Sequence, residues 1–152
     1  MDIEKDSAIN YIEKDYGKIL VELAGLPDDV DLDDFEISNT ELKAPNLDQF
    51  KPDLIVKNNK TIIMFKGESS PLTDLTKRGF LAFVVLYNYR CNDDDLDMYF
   101  VVLTHKEKTG VVTYKIGNII EFNIQVVNIK DLDLNQIKEW GCIWFEKLVK
   151  II

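Results

Sequence analysis

Apolar residues recur along the chain with two different periods, and the changes of period mark the elements. Between Ser7 and Leu26, Ile9, Ile12, Tyr16, Ile19, Leu20 and Leu23 fall at helical spacings and form one stripe. Ser7 can cap the start, and Gly25 followed by Pro27 supplies a stop. Asp28, Asp29, Asp31, Asp33 and Asp34 follow without the glycine and closing glutamate of a calcium loop, so this stretch reads as an acidic connector. Alternation then takes over. Residues 35–42, with Phe35 and Ile37 on one face, predict a strand, and residues 43–49 predict a loop.

Two apolar runs, 54–56 and 61–65, flank the polar tip Lys57-Asn58-Asn59-Lys60. They predict a β-hairpin whose asparagines adopt the positive φ of a tight turn. Ser69-Ser70-Pro71 predicts a helix start that runs to about Tyr89 through Leu72, Leu75, Phe80, Phe83, Val84 and Tyr87. From Phe80 onward this helix is apolar almost all round, which predicts cover on most faces. Residues 97–104 read as a strand buried on both faces, 105–110 as a turn, and 111–115 and 122–129 as two further strands. Ile137, Trp140, Trp144, Leu148 and Ile151 predict a last helix over 134–151. The order αβββαβββα predicts an α/β (α+β) sandwich around a mixed sheet, with residues 1–152 as one domain.

The bulk numbers fit that expectation. A chain of 152 residues with 46% hydrophobic content can bury a real core. The longest apolar run, residues 80–86, is too short to span a bilayer, and the charged N-terminus has no apolar stretch, so a cytoplasmic protein without a membrane partner is expected. Cys91 and Cys142, far apart, are expected to be free thiols. The net charge of −9 opposes unspecific polyanion binding, while a local basic patch would still permit a nucleic-acid substrate. Helical spacing favours core packing over base stacking for Trp140, Trp144 and Phe145, and the apolar end at 148–152 suggests a homodimer surface.

The hairpin carries the candidate chemistry. Asp53 opens its first strand, and Lys66 and Glu68 close its second. Antiparallel pairing brings these charges to one end of the sheet. The plainer reading is a surface ion-pair cluster worth only ~0–1 kcal/mol. His105, the only histidine, has no second histidine or cysteine near it in sequence and is expected to be structural or solvent-facing.

With Lys51-Pro52-Asp53 entering one strand, Lys66 leaving the next, and Ser69-Ser70 opening a helix that bears Lys77-Arg78, residues 35–103 resemble the PD-(D/E)XK nuclease superfamily. The resemblance extends to its recombination-promoting, transposase-related branch. It implies a restriction-endonuclease-like fold and magnesium-dependent (or manganese-dependent) hydrolysis of phosphodiesters, with DNA as partner. Carried over by position, Asp53 is a metal ligand and Lys66 the catalytic lysine. The residue two before Lys66 should be acidic and is Met64, whose soft thioether cannot replace a carboxylate on Mg²⁺. Glu68 shares Lys66's side of the strand and could supply the missing carboxylate, with Glu41 and then Glu22 as accessory ligands. Lys77 and Arg78, with Thr73 and Thr76, would meet the nucleic-acid backbone. Their plainer reading includes an Asp74–Arg78 ion pair at helical spacing. Met64 and the acidic charge support the alternative, a catalytically degenerate nuclease fold acting as a binding or regulatory module.

Overall fold

The computed structural model describes residues 36–38, 44–92 and 95–131. The expected helices over 7–26 and 134–151 lie outside the described residues, as do the acidic connector, Glu22, Glu41, Cys142, the two tryptophans and the apolar terminus.

Strands β1 (Glu36–Ser38), β2 (Leu54–Lys57) and β3 (Thr61–Glu68) form an antiparallel meander. Helix α1 (Asp74–Cys91) carries the chain back so that β4 (Asp97–Thr104) lies parallel to β3. A hairpin of β5 (Gly110–Ile116) and β6 (Ile120–Asn128) follows, with β6 parallel to β4. The result is a six-stranded mixed sheet in the order β1-β2-β3-β4-β6-β5, a mixed α/β arrangement. The β5–β6 hairpin places β6 inward, against β4. Ile124, Val126 and Val127 of β6 are fully buried, whereas Val111 and Ile116 of β5 are exposed at the sheet's edge.

Period-two alternation sorts the side chains. Ile55, Ile62, Met64, Phe100, Val102, Ile124 and Val126 meet Phe80, Phe83 and Tyr87 of α1 in one core. Residues of the other parity, Ile63, Phe65, Val101, Leu103 and Val127, are buried as deeply on the opposite face. This double burial is why β4 reads as an unbroken apolar run. Phe80 stacks on Phe100 at 4.7 Å and takes the edge of Phe50 at 6.2 Å, and each such pair adds ~0.5–1.5 kcal/mol beyond its buried area. No described helix is long and apolar enough to cross a membrane.

Four local expectations change. The hairpin turn has no positive φ at Asn58 or Asn59. Asn58 instead works through its side chain, with Oδ1 accepting from the N–H groups of Lys60 (2.9 Å) and Thr61 (2.8 Å). Helix α1 starts at Asp74, not after Ser70, and Thr73 is its cap, accepting from the Thr76 N–H at 3.2 Å. Leu72, buried in the core, draws the segment inward before the helix can begin, and its N–H is held by Glu107 Oε1 at 3.0 Å. The expected loop over 43–49 contains a 3₁₀ turn, Pro45–Phe50, whose Phe50 ring lies where a side chain at Gly79 would project. Finally, α1 is not covered all round, because Leu75, Val85 and Tyr89 are 53–83% exposed.

Candidate functional site

The hairpin register decides what meets at the sheet end. Leu54 pairs with Phe65 as the last pair of the ladder, so Asp53 lies just beyond it, beside the end of β3 that carries Lys66. The Asp53 N–H donates to the Phe65 carbonyl at 2.8 Å, so Asp53 and Leu54 share Phe65 and the regular register stops there. The Asp53 carboxylate does not turn to the lysine. Its Oδ2 accepts from the Gly67 N–H at 2.8 Å, so a peptide group of β3 orients an acid that precedes β2. Asp53, Lys66 and Glu68 are all half-buried.

Alternation puts Lys66 and Glu68 on the same side of β3 as Met64, towards α1. No ion pair joins Lys66 to Asp53 or Glu68 among the described residues, so the surface ion-pair cluster of the plainer reading does not form. Glu68 Oε1 lies 3.4 Å from the Ser70 N–H, a long contact that leaves the carboxylate with most of its acceptor capacity. Met64 is only 1% exposed and packs within the α1 core. At the position where the nuclease motif has its acid, this chain has a wall of its hydrophobic interior.

The donor set can be tested against a hard divalent ion. Asp53 and Glu68 are the carboxylates that the β2 start and the β3 end supply, and magnesium is commonly held by one or two carboxylates together with water and phosphate oxygens. Two carboxylates match the number that mode uses. They do not make a preformed protein cage, and no group of three or more His, Cys, Asp or Glu side chains that could hold a metal occurs among the described residues.

The basic pair on α1 separates. Lys77, with its side chain 18% exposed, lies 3.8 Å from Asp74, so the Asp74 partner is Lys77 and not Arg78. The Arg78 Nε donates to the Tyr114 hydroxyl at 3.0 Å, and that hydrogen bond raises the guanidinium pKa further above its ordinary value. Tyr114 belongs to β5, three strands beyond β3 in the sheet order, so Arg78 reaches away from Asp53.

Some participants carried no sequence signal. Gly67 acts through its peptide N–H, which has no side-chain signature. Glu107 reaches the Leu72 N–H from the β4–β5 loop, 35 residues away in sequence. That loop is in turn held by the Asn128 side-chain amide, which donates to the Glu107 carbonyl at 2.6 Å, and by a Thr109–Asp131 hydrogen bond. His105 is half-buried at the end of β4, and its Nδ1 has no hydrogen-bond partner among the described residues.

Comparison with known proteins finds no family model that matches the chain, and no curated protein or solved structure that matches it significantly.

Proposed function

We propose that this protein is a metal-dependent nuclease of the PD-(D/E)XK type, with a restriction-endonuclease-like fold and DNA as substrate. The observation that carries the reading is the Asp53 carboxylate held by the Gly67 N–H, between Lys66 and Glu68 at the end of β3. The antiparallel meander followed by a helical crossover into a parallel β4 supports it. Asp53 and Glu68 would hold Mg²⁺, which would polarise the phosphoryl oxygens and lower the pKa of water. The Gly67 N–H fixes the Asp53 carboxylate, and Lys66 stabilises charge developing on the phosphorane oxygens. Water adds to phosphorus and gives up a proton, the bond to the leaving alkoxide breaks, and that oxygen takes up a proton from solvent in return. Lys77, near the start of α1, would hold a neighbouring phosphate.

Met64 favours a second reading, a nuclease-type fold retained as a binding or regulatory module, because its burial leaves no carboxylate at the motif's central position. Incubation of supercoiled plasmid with Mg²⁺ or Mn²⁺, alongside calorimetric metal titration, separates the two. Nicking that disappears in Asp53→Asn supports the nuclease. Neither nicking nor metal binding leaves the module.

A further inference from the structure

β5 closes one side of the sheet, and no described strand pairs with its outer edge. Its seven residues, Gly110–Ile116, hold an unbroken register with β6, from Gly110 opposite Val126 to Ile116 opposite Ile120. Alternate residues of such a strand turn their N–H and C=O groups away from the partner, so the outer edge is a row of peptide donors and acceptors. None of the seven is buried. Natural edges are commonly guarded by a proline, a bulge or a free charge. β5 has no proline and no bulge, and its one charged side chain, Lys115, lies 3.7 Å from Glu121 of its own hairpin. Valine, threonine, tyrosine and isoleucine make up most of the strand, and all four favour extended pairing.

Helix α1 borders this edge on one face of the sheet, tied to the middle of β5 by the Arg78–Tyr114 hydrogen bond. Among the described residues the Arg78 guanidinium donates only through Nε, to a neutral hydroxyl, and makes no ion pair. Its charge and its other N–H groups remain open to an incoming acid. Val85, also exposed, lies two helical turns beyond Arg78 and so on the same side of α1. We propose that the β5 edge binds an extended peptide of a partner protein, which adds a strand to the sheet and sets an acidic side chain against Arg78. Main-chain hydrogen bonds supply the attachment, and the α1 side supplies the selection, a carboxylate for the guanidinium and an apolar residue for Val85. A phosphodiester chain fits less well, because it brings no N–H donors for the carbonyls of the row. A second copy pairing through β5 would bring another Arg78, not a carboxylate, to the same face of the joined sheet. This inference does not rest on the nuclease reading.

The probe is a random seven-residue peptide library displayed on phage and selected on the immobilised full chain. Selected sequences should combine β-branched residues with an aspartate or glutamate, and the matching synthetic peptide should slow amide exchange in β5. Two versions of that peptide, methylated at one or the other alternate set of backbone amides, should differ. The version that blocks the paired edge should not bind, and the other should. Replacing the peptide's acid by its amide should weaken binding to the wild type about three- to five-fold and leave binding to Arg78→Gln unchanged. No enrichment over a selection on an unrelated protein, protection outside β5, equal binding by both methylated peptides, or an acid-to-amide change without effect on the wild type would overturn the proposal. Self-association of the full chain that protects the β5 amides, seen by sedimentation and amide exchange, would give the edge to a second copy and overturn it as well.

Discussion

The Asp53 carboxylate takes its hydrogen bond from the Gly67 peptide across the β2–β3 pair, and leaves the neighbouring Lys66 without an ion pair among the described residues. An acid that neutralised the lysine would tie up both groups. An acid held by a peptide N–H keeps a fixed orientation, an oxygen free for a ligand, and a lysine available to a third party.

That relationship separates structure from chemistry at Asp53. Asn at this position can still accept from the Gly67 N–H, so Asp53→Asn should unfold near the wild-type temperature while losing metal-dependent nicking. Asp53→Ala strands the Gly67 donor and should cost ~1–3 kcal/mol as well. Thermal unfolding and plasmid nicking measured on both variants check this, and nicking that survives Asp53→Asn would remove Asp53 from the metal site.

Restoring the motif acid should harm the protein. Met64→Glu places a carboxyl in a core position that is 1% exposed, at a cost of several kcal/mol if it ionises without a partner. Burial raises the folded-state pKa above the ordinary ~4.3, so the loss is small below that value and grows as pH rises towards the folded pKa. Urea midpoints for variant and wild type should therefore lie closer at pH 4 than at pH 7. Equal gaps at both pH values would mean that the new carboxyl escapes to solvent.

Gly79 and Phe50 should be coupled. A Cβ at position 79 would sit 2.3 Å from the Phe50 ring, and overpacking of this kind costs ~1–3 kcal/mol, set against ~1 kcal/mol gained from helix propensity. Gly79→Ala should destabilise the wild type and become neutral or stabilising when Phe50 is replaced by Leu. A double-mutant cycle in urea measures the coupling, and additive changes would contradict the contact.

The separated basic residues should respond differently to salt. Lys77→Ala should weaken DNA binding and lower the slope of log K against log salt by about one. Arg78, turned to Tyr114 on the far edge of the sheet, should leave that slope unchanged when replaced by Ala. Fluorescence anisotropy at several salt concentrations decides it. A larger loss at Arg78 than at Lys77 would place the nucleic acid across β5.

Much of the fold was legible because its signals are local. The hairpin strands, the α1 stretch and β4 each show their period or their unbroken apolar run within ten to twenty residues. What was missed depends on atoms that such windows do not contain. The start of α1 is set by a core contact of Leu72 and a carboxylate from Glu107, so a hydroxyl-proline signal at Ser70-Pro71 misplaced it. The turn uses the Asn58 side chain, which the same letters would equally allow through positive φ. At the site, antiparallel pairing brings Asp53 to the end of β3, whereas the Gly67 donor and the Tyr114 partner of Arg78 lie in the peptide backbone and across the sheet.

The helical crossover between β3 and β4 has a kinetic consequence. The β2–β3 hairpin closes over a short turn, but β3 and β4 cannot pair until the whole intervening segment has looped back, because parallel neighbours have no short connection. The strand bearing Lys66 thus gains its first partner early and its second late. In pulse-labelled amide exchange during refolding, Ile63 and Phe65, whose amides face β2, should gain protection before Val101 and Leu103 in β4, and simultaneous protection would show that the crossover forms first.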